Sequence, residues 1–518
     1  MKTNKYFLLL LVFLPLLLLR DFTPDNELKY LSIADEAIRN GNFFTFTNHG
    51  EVYADKPPLY LWIVMLGKLL FGVHSMLFLG LFSVIPALVI LYIMDKWVEE
   101  STDKNNRLSG LLMMITSGYF IGAGVVLRMD MLMCMFIVLA LYTFYQMFVG
   151  KGTKWSGLLF AVYVFMALFT KGPIGILVPL LSVIAFLAVK GQLRTLGHYW
   201  GVKTWIVLLI GAAIWFTGVF VEGGYNYLHN LLFNQTVNRA VDSFHHKKPF
   251  YYYFEVIWYC LAPWSLLYIG LIFAGIKAKL INTDLEKFFL TIITVTFVCL
   301  SLISSKVEVY MLPAFPFFGY LTVLLLQKIK LNKRVSLLIA IPVTLLGLAF
   351  PAVCVLGRYP SMAFLNNPLI YAVSGCLLII CAISLFYLYK QKNLNRSVNT
   401  LAIGLLLIIF SGSFFVSSFN EYIGYGELSK KGKELALENG IDSYYFYNVG
   451  RAENMDAYLN QELKEVKESD LNKMQDKKAI LFLSTKDIQN NPLLSKMVEG
   501  KEKCIEGKFS IVVFKQVK

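Results

Sequence analysis

The stretch "PPLYLWIVMLGKLLFGV", residues 57–73, decides how the rest of the chain is read. It is apolar enough to pass for a membrane span, and counting it as one would invert every loop that follows. At about sixteen residues it is short for a bilayer core, it carries Lys68, and Pro57 and Pro58 start it as a helix emerging from a loop. The better reading is an interfacial helix on the outer surface of a membrane. The preceding "DNELKYLSIADEAIRNG", capped by Asp25 or Asn26 and closed by Gly41, reads as a second amphipathic surface helix.

Composition supports a membrane setting. The 518 residues are 57% hydrophobic and only 16% charged, and the mean hydropathy is +0.59, well outside the range of soluble domains. Apolar runs near 6–19, 76–95, 108–126, 131–148, 156–170, 173–189, 204–221, 256–274, 288–304, 311–326, 335–353, 368–389 and 399–416 are continuous rather than alternating. This predicts helices, roughly thirteen spans of them, and excludes a β-barrel. The first run follows Lys2 and Lys5 but lacks a small-residue cleavage site, so it reads as a retained span.

A net charge of +14 raises nucleic acid as a partner. The basic residues instead sit in short clusters between apolar runs, as orientation signals do. With the N-terminus inside, the inner loops and N-terminus hold roughly twenty Lys and Arg, against about a dozen in the much longer outer stretches. The expected placement is the inner (cytoplasmic) membrane, with a cytoplasmic N-terminus and no nucleic acid bound. Seven cysteines without a CxxC pair give neither a disulfide nor a zinc framework.

From about residue 420 the composition turns charged and mixed. The strand-like "SYYFYNV", "KAILFLS" and "FSIVVFKQV" alternate with the helical "LSKKGKELALENG" and "DIQNNPLLSKM". The expected fold is therefore a polytopic all-α membrane domain over 1–419, with juxtamembrane helices on its outer face. A small soluble α/β domain over 420–518 follows on the extracytoplasmic side.

Charged groups at membrane depth cost roughly 2.5–3.5 kcal/mol or more each, so their placement is informative. On this topology Asp25, Glu27, Lys29, Asp55, Lys56, Arg128, Asp130, Lys171, Asp242, His245, His246, Lys306, Glu308 and Arg358 all emerge on the outer side, several in tight links such as "LRMDML", "FTKGPIG" and "SSKVEVYMLP" around Tyr310. Any one of them alone reads as well as a helix cap or an interfacial anchor. Agreement in sidedness across separate loops is what singles out the set. A secondary transporter would also have many spans, but it would place polar groups near the midplane of inverted repeats, and none is visible here.

The acidic first loop "PDNELKYLSIADEAI", "ADKPPLYLW", "LRMDML", "TKGPIG", "HKKPFYY" and "SSKVEVYMLPAFP" together resemble the GT-C membrane glycosyltransferases. The likeness is to the branch holding the lipid A aminoarabinose transferases and the bacterial relatives of protein O-mannosyltransferases, and it covers most of residues 20–320. It implies sugar transfer from a polyprenyl-phosphate donor to an envelope lipid, lipid A-like, or a glycan at the outer face. A protein O-mannosyltransferase-like activity is the alternative. By the resemblance, Asp25 and Asp130 are the candidate catalytic carboxylates and Glu27 competes with Asp25. Lys29, Lys56, Lys171 and Tyr310 would bind the donor phosphate, and Asp55 with His246 matches a pair associated with a divalent metal. No nucleotide cofactor is implied. The first loop departs from the family's usual Asp-Glu-x-Arg-Tyr order, with Asn26 between its acids and Lys29 in place of Arg.

Independent of family, displacing a polyprenyl phosphate from an anomeric carbon builds positive charge on the sugar and negative charge on the phosphate. Carboxylates beside the ring and cations beside the leaving group answer that need.

Overall fold

The computed structural model describes residues 4–233, 247–475 and 477–515. His246, the expected partner of Asp55, lies outside the described residues. The chain is mostly helical, and its apolar runs become helices because a backbone without water must satisfy its own hydrogen bonds. Among the described residues eight helices are long and apolar enough to cross a bilayer, or up to eleven if each of three bent pairs is one span. The helices Ser156–Lys171 and Ile174–Val189 are apolar but shorter.

Two expected straight spans are broken. The run 108–126 is a helix Lys104–Ile115 followed by Gly118–Val125, bent by 65°. The run 256–274 is Tyr252–Cys260 followed by Ser265–Lys277, bent by 118°. The two breaks satisfy each other. The Gly118 amide donates to the Ala262 carbonyl at 2.8 Å, and the Trp264 indole donates to the Thr116 hydroxyl at 2.9 Å.

The chain divides into two compact units. One holds residues 1–13, 55–57 and 81–411, and the other holds 14–54, 58–80 and 412–518. In the first, helix Met129–Phe148 packs on Ser156–Lys171, which also packs on Ile174–Val189 and Val202–His229. Trp97 lies within aromatic contact of Tyr142, Tyr145, Phe288, Phe289 and Phe317, with centroids 5.0–6.1 Å apart.

In the second unit most of the stretch 57–73 forms a 13-residue helix, Leu59–Phe71, ended by Gly72 at φ 71°. Its length is well below the ~20 residues of a helical span. Lys68, the charge that argued against a span, pairs with Asp35 at 3.5 Å, and His74 reaches the same carboxylate at 2.9 Å. Leu66, Leu69, Leu70 and Phe71 stay exposed. The acidic stretch before it is a helix Lys29–Asn40 closed by Gly41 at φ 70°. Its start differs from expectation. Neither Asp25 nor Asn26 caps it, because Thr23 and Pro24 open a wider turn, Pro24–Leu28, that runs straight into it. A short hairpin, β1 (Thr47–Asn48) and β2 (Glu51–Val52), follows.

The C-terminal part of this unit carries a five-stranded sheet of β3 (Tyr444–Tyr447), β4 (Leu463–Glu465), β5 (Ala479–Ser484), β6 (Lys503–Glu506) and β7 (Phe509–Phe514). The order is β4-β3-β5-β7-β6. The pairings β4-β3 and β3-β5 are parallel, and β5-β7 and β7-β6 are antiparallel. Leu481, Leu483, Val512 and Phe514 bury one face against Leu471, Leu494 and Met497.

Candidate active site

Lys171 is the last residue of its helix, and the two glycines of "FTKGPIG" explain where it points. Gly172 turns the chain at φ 106°, a conformation that L side chains rarely adopt, and a Cβ on Gly175 would collide with the carbonyl of Ala167. The next helix can therefore lie directly against the one that carries Lys171.

Asp130 sits in the first turn of helix Met129–Phe148, after Arg128 in extended conformation. Its carboxylate is buried at 1% exposure and is met by two cations. The Lys171 ammonium donates to Oδ1, and Arg128 Nε donates to Oδ2 at 2.8 Å. A carboxylate this deep is tolerable only when paired, and two cations on one acid leave a net positive charge. The Lys171 ammonium also lies 4.5 Å from the centroid of Tyr310, which stands in the short 3₁₀ stretch Glu308–Ala314. Tyr252 and Tyr259 donate to Glu308 at the start of that stretch, at 2.6 and 3.0 Å.

A cavity of about 270 Å³ opens at these residues. Asp55, Lys56, Lys171, Ser305 and Tyr310 line it, and the Asp55 and Lys56 charges are 3.4 Å apart. The rest of the wall is apolar. Phe165 and Leu168 lie two turns and one turn back from Lys171 on the same helix, and Ile174, Leu177, Trp215 and Phe216 continue the surface. The cavity thus joins a cationic end, where helices terminate, to an apolar groove that runs along them. The groove residues escaped sequence reading, although the i, i+3 spacing of Phe165, Leu168 and Lys171 was a readable signal. Arg128, directly before "MD", is placed on the outer side by the sequence but given no role there.

Asp25, Glu27 and Lys29 lie in the second unit and differ sharply in surroundings. Glu27 is buried. Arg20 holds it through two bonds of 2.6 and 2.7 Å, and the Thr23 amide and hydroxyl donate to it at 2.7 and 2.9 Å. Those four bonds are the setting of an anchor for the turn. Asp25 is 78% exposed and 3.6 Å from Arg451. The Lys29 ammonium lies 4.8 Å from the Tyr53 ring centroid.

Among the described residues no group of three or more His, Cys, Asp or Glu gathers; Asp55 lies 3.4 Å from Lys56, and His246, its expected partner at a divalent metal, lies outside the described residues.

The sequence profile of the dolichyl-phosphate-mannose-protein mannosyltransferases matches residues 55–216. An uncharacterized protein of Aquifex aeolicus is 26% identical over 473 residues, 88% of this chain and 89% of its own. The undecaprenyl phosphate-alpha-4-amino-4-deoxy-L-arabinose arabinosyl transferase of Edwardsiella ictaluri is 23% identical over 298 residues. That match covers 56% of this chain and about half, 53%, of the transferase. Among solved structures, ArnT from Cupriavidus metallidurans bound to undecaprenyl phosphate superposes with a TM-score of 0.76 at 16% identity, over 99% of this chain and 98% of that one. The superposition, with the bent helices and the small C-terminal sheet, gives the chain the fold of that structure, a multi-pass membrane protein whose sequence is similar to those of glycosyltransferases.

Proposed function

We propose that this chain moves a sugar from a polyprenyl phosphate to an envelope lipid, lipid A-like, or to a glycan, at the non-cytoplasmic face of the inner membrane. On this reading the N-terminus is cytoplasmic, residues 1–419 form the catalytic membrane domain, and 420–518 form an extracytoplasmic domain. The observation that carries the proposal is the cavity that joins Lys56, Lys171 and Tyr310 to an apolar groove. A lipid phosphate has the same two-part chemistry, and the names of the arabinosyl transferase relatives and of the liganded ArnT structure support it.

The chemistry follows from charge. Lys56 and Lys171 bind the donor phosphate, and Tyr310 donates a hydrogen bond to it. As the phosphate approaches it competes with Asp130 for the Lys171 ammonium, while Arg128 keeps hold of Asp130. The bond from the anomeric carbon to the phosphate oxygen breaks with its electron pair on phosphate, where the lysines stabilise the new charge. Asp130 and Asp25 act as the catalytic carboxylates. One stabilises the cationic sugar, and the other takes the proton of a hydroxyl acceptor, whereas a phosphate acceptor is already ionised and needs only positioning. Glu27 holds the loop that carries Asp25, and Lys29 adds positive charge to that loop. Asp55 orients Lys56.

The mannosyltransferase profile over 55–216 favours a second reading, in which the acceptor is a protein hydroxyl. Mass spectrometry of envelope lipids and glycoproteins with and without the chain separates the two. A sugar-modified lipid that disappears supports the first reading, a glycoprotein that disappears supports the second, and no change in either fraction overturns both.

A further inference from the structure

Arg451 holds a backbone conformation that its side chain disfavours. Its φ and ψ are 61° and 22°, the left-handed region, in a segment where Asn448 and Asn460 also take positive φ. Asparagine tolerates that region, but arginine gains nothing local from it. An outlier of this kind calls for a reason in what the side chain touches. Its Nε lies 3.6 Å from Asp25 and its Nη1 lies 3.8 Å from Glu453. Both partners in the Asp25 pair are largely exposed, at 60% and 78%, so the pair adds little to stability.

The loop carrying Asp25 is tied to the C-terminal chain on either side of it. The Asp21 carboxylate accepts from the Gly426 amide at 2.6 Å and from the Tyr458 hydroxyl, and the Asp21 amide donates to Asn420 at 3.0 Å. Further along, the Ser32 hydroxyl donates to Asp456 at 2.9 Å. Between these ties Asp25 and Arg451 line one cleft of about 570 Å³, together with His49, Glu453, Glu462 and Glu465.

We propose that Arg451 is a positioning residue for Asp25, and that the C-terminal domain is thereby a working part of the transferase that fixes the outer catalytic loop. The inference rests on the reading of Asp25 as a catalytic carboxylate. A displacement of about 1 Å at such a group costs on the order of a hundredfold in rate, and removal of one charged contact to a loop already tied twice should cost less.

The test uses the full chain in cells that lack the natural copy, reading by mass spectrometry the envelope product that depends on the wild-type chain. Thermal midpoints are measured on the purified variants. Arg451→Gly removes the guanidinium but suits the backbone, so its midpoint should be unchanged or higher while product falls about tenfold. Arg451→Lys should restore most of the product, and Asp25→Asn should abolish it. Wild-type product from Arg451→Gly with none from Asp25→Asn overturns the positioning role and leaves the site intact. A fall in Arg451→Gly that comes with a lower midpoint and no rescue by lysine overturns it in favour of a structural role. Product retained by Asp25→Asn overturns the reading of the site, and this inference with it.

Discussion

Lys171 and Asp130 are a buried ion pair, and such pairs punish the loss of one partner more than the loss of both. Replacing Lys171 by Met leaves Asp130 with Arg128 alone in a site of 1% exposure. The expected loss of stability is about 3–5 kcal/mol, and Lys171→Met with Asp130→Asn should recover much of it. Thermal unfolding of the solubilised chain decides, and equal losses in the single and double variants would contradict the pairing. Away from the spans, burial raises the Asp456 carboxyl to about 6, and the His49 ring and Ser32 hydroxyl offset only part of that rise. Asp35 pushes in the same direction as burial and Arg39 against it. A raised acid stabilises the fold below its unfolded value and loses that contribution as pH rises through the folded one. The thermal midpoint should therefore fall between pH ~4 and ~6, by up to about 3 kcal/mol in stability, and Asp456→Asn should flatten the fall. An undiminished fall in Asp456→Asn would assign it to other groups.

Residue identities in the site were readable where chain geometry demanded them. "FTKGPIG" stood out as a tight link holding a lysine between two apolar runs, and the structure makes the turn at Gly172, φ 106°. The different surroundings of Asp25 and Glu27 were not readable: Glu27 is buried against Arg20, seven positions back, across a wide turn that no regular helix or strand pattern announces. Asp130's pairing with Lys171 spans 41 residues and is equally invisible to any local pattern.

At the scale of elements, the apolar runs announced the helices, but their bends were hidden because both halves of each are apolar. The turn at Thr116 and Ser117 leaves only a hydroxyl pair as a trace, each bonding back to a carbonyl three or four residues earlier. In the C-terminal sheet the three central strands were legible from their hydrophobic runs. Strands β4 and β6 were not, since "LKE" and "KCIE" are short edge strands that mix charged with apolar residues and lack a hydrophobic run. Glycines matter where elements meet. A Cβ on Gly424 would strike the Asp21 carboxylate and lie 2.5 Å from the Phe22 carbonyl, whereas one on Gly412 meets nothing within 4 Å. Gly424→Ala should therefore destabilise the chain by about 1–3 kcal/mol. Gly412→Ala, near the end of a helix, should be neutral or stabilising by up to ~1 kcal/mol. Paired thermal midpoints check this, and equal behaviour of the two variants would contradict the close approach at Asp21.

At the scale of the fold, the expected count of roughly thirteen spans stands beside the eight to eleven that pass on length and apolarity among the described residues. The helices Ser156–Lys171 and Ile174–Val189 lie between these figures, being apolar but short. They are also the two that carry "FTKGPIG", so the site is built where helices stop early and bring Lys171 to the head of an apolar groove. The account depends on that groove receiving a lipid phosphate at Lys56 and Lys171. The most direct test is transfer from an undecaprenyl-phosphate-linked sugar to lipid A by purified wild-type chain and by Lys56→Ala and Asp130→Asn at matched expression. The account predicts wild-type transfer and a loss of about a hundredfold or more in each variant. Transfer at the wild-type rate by both variants would contradict it.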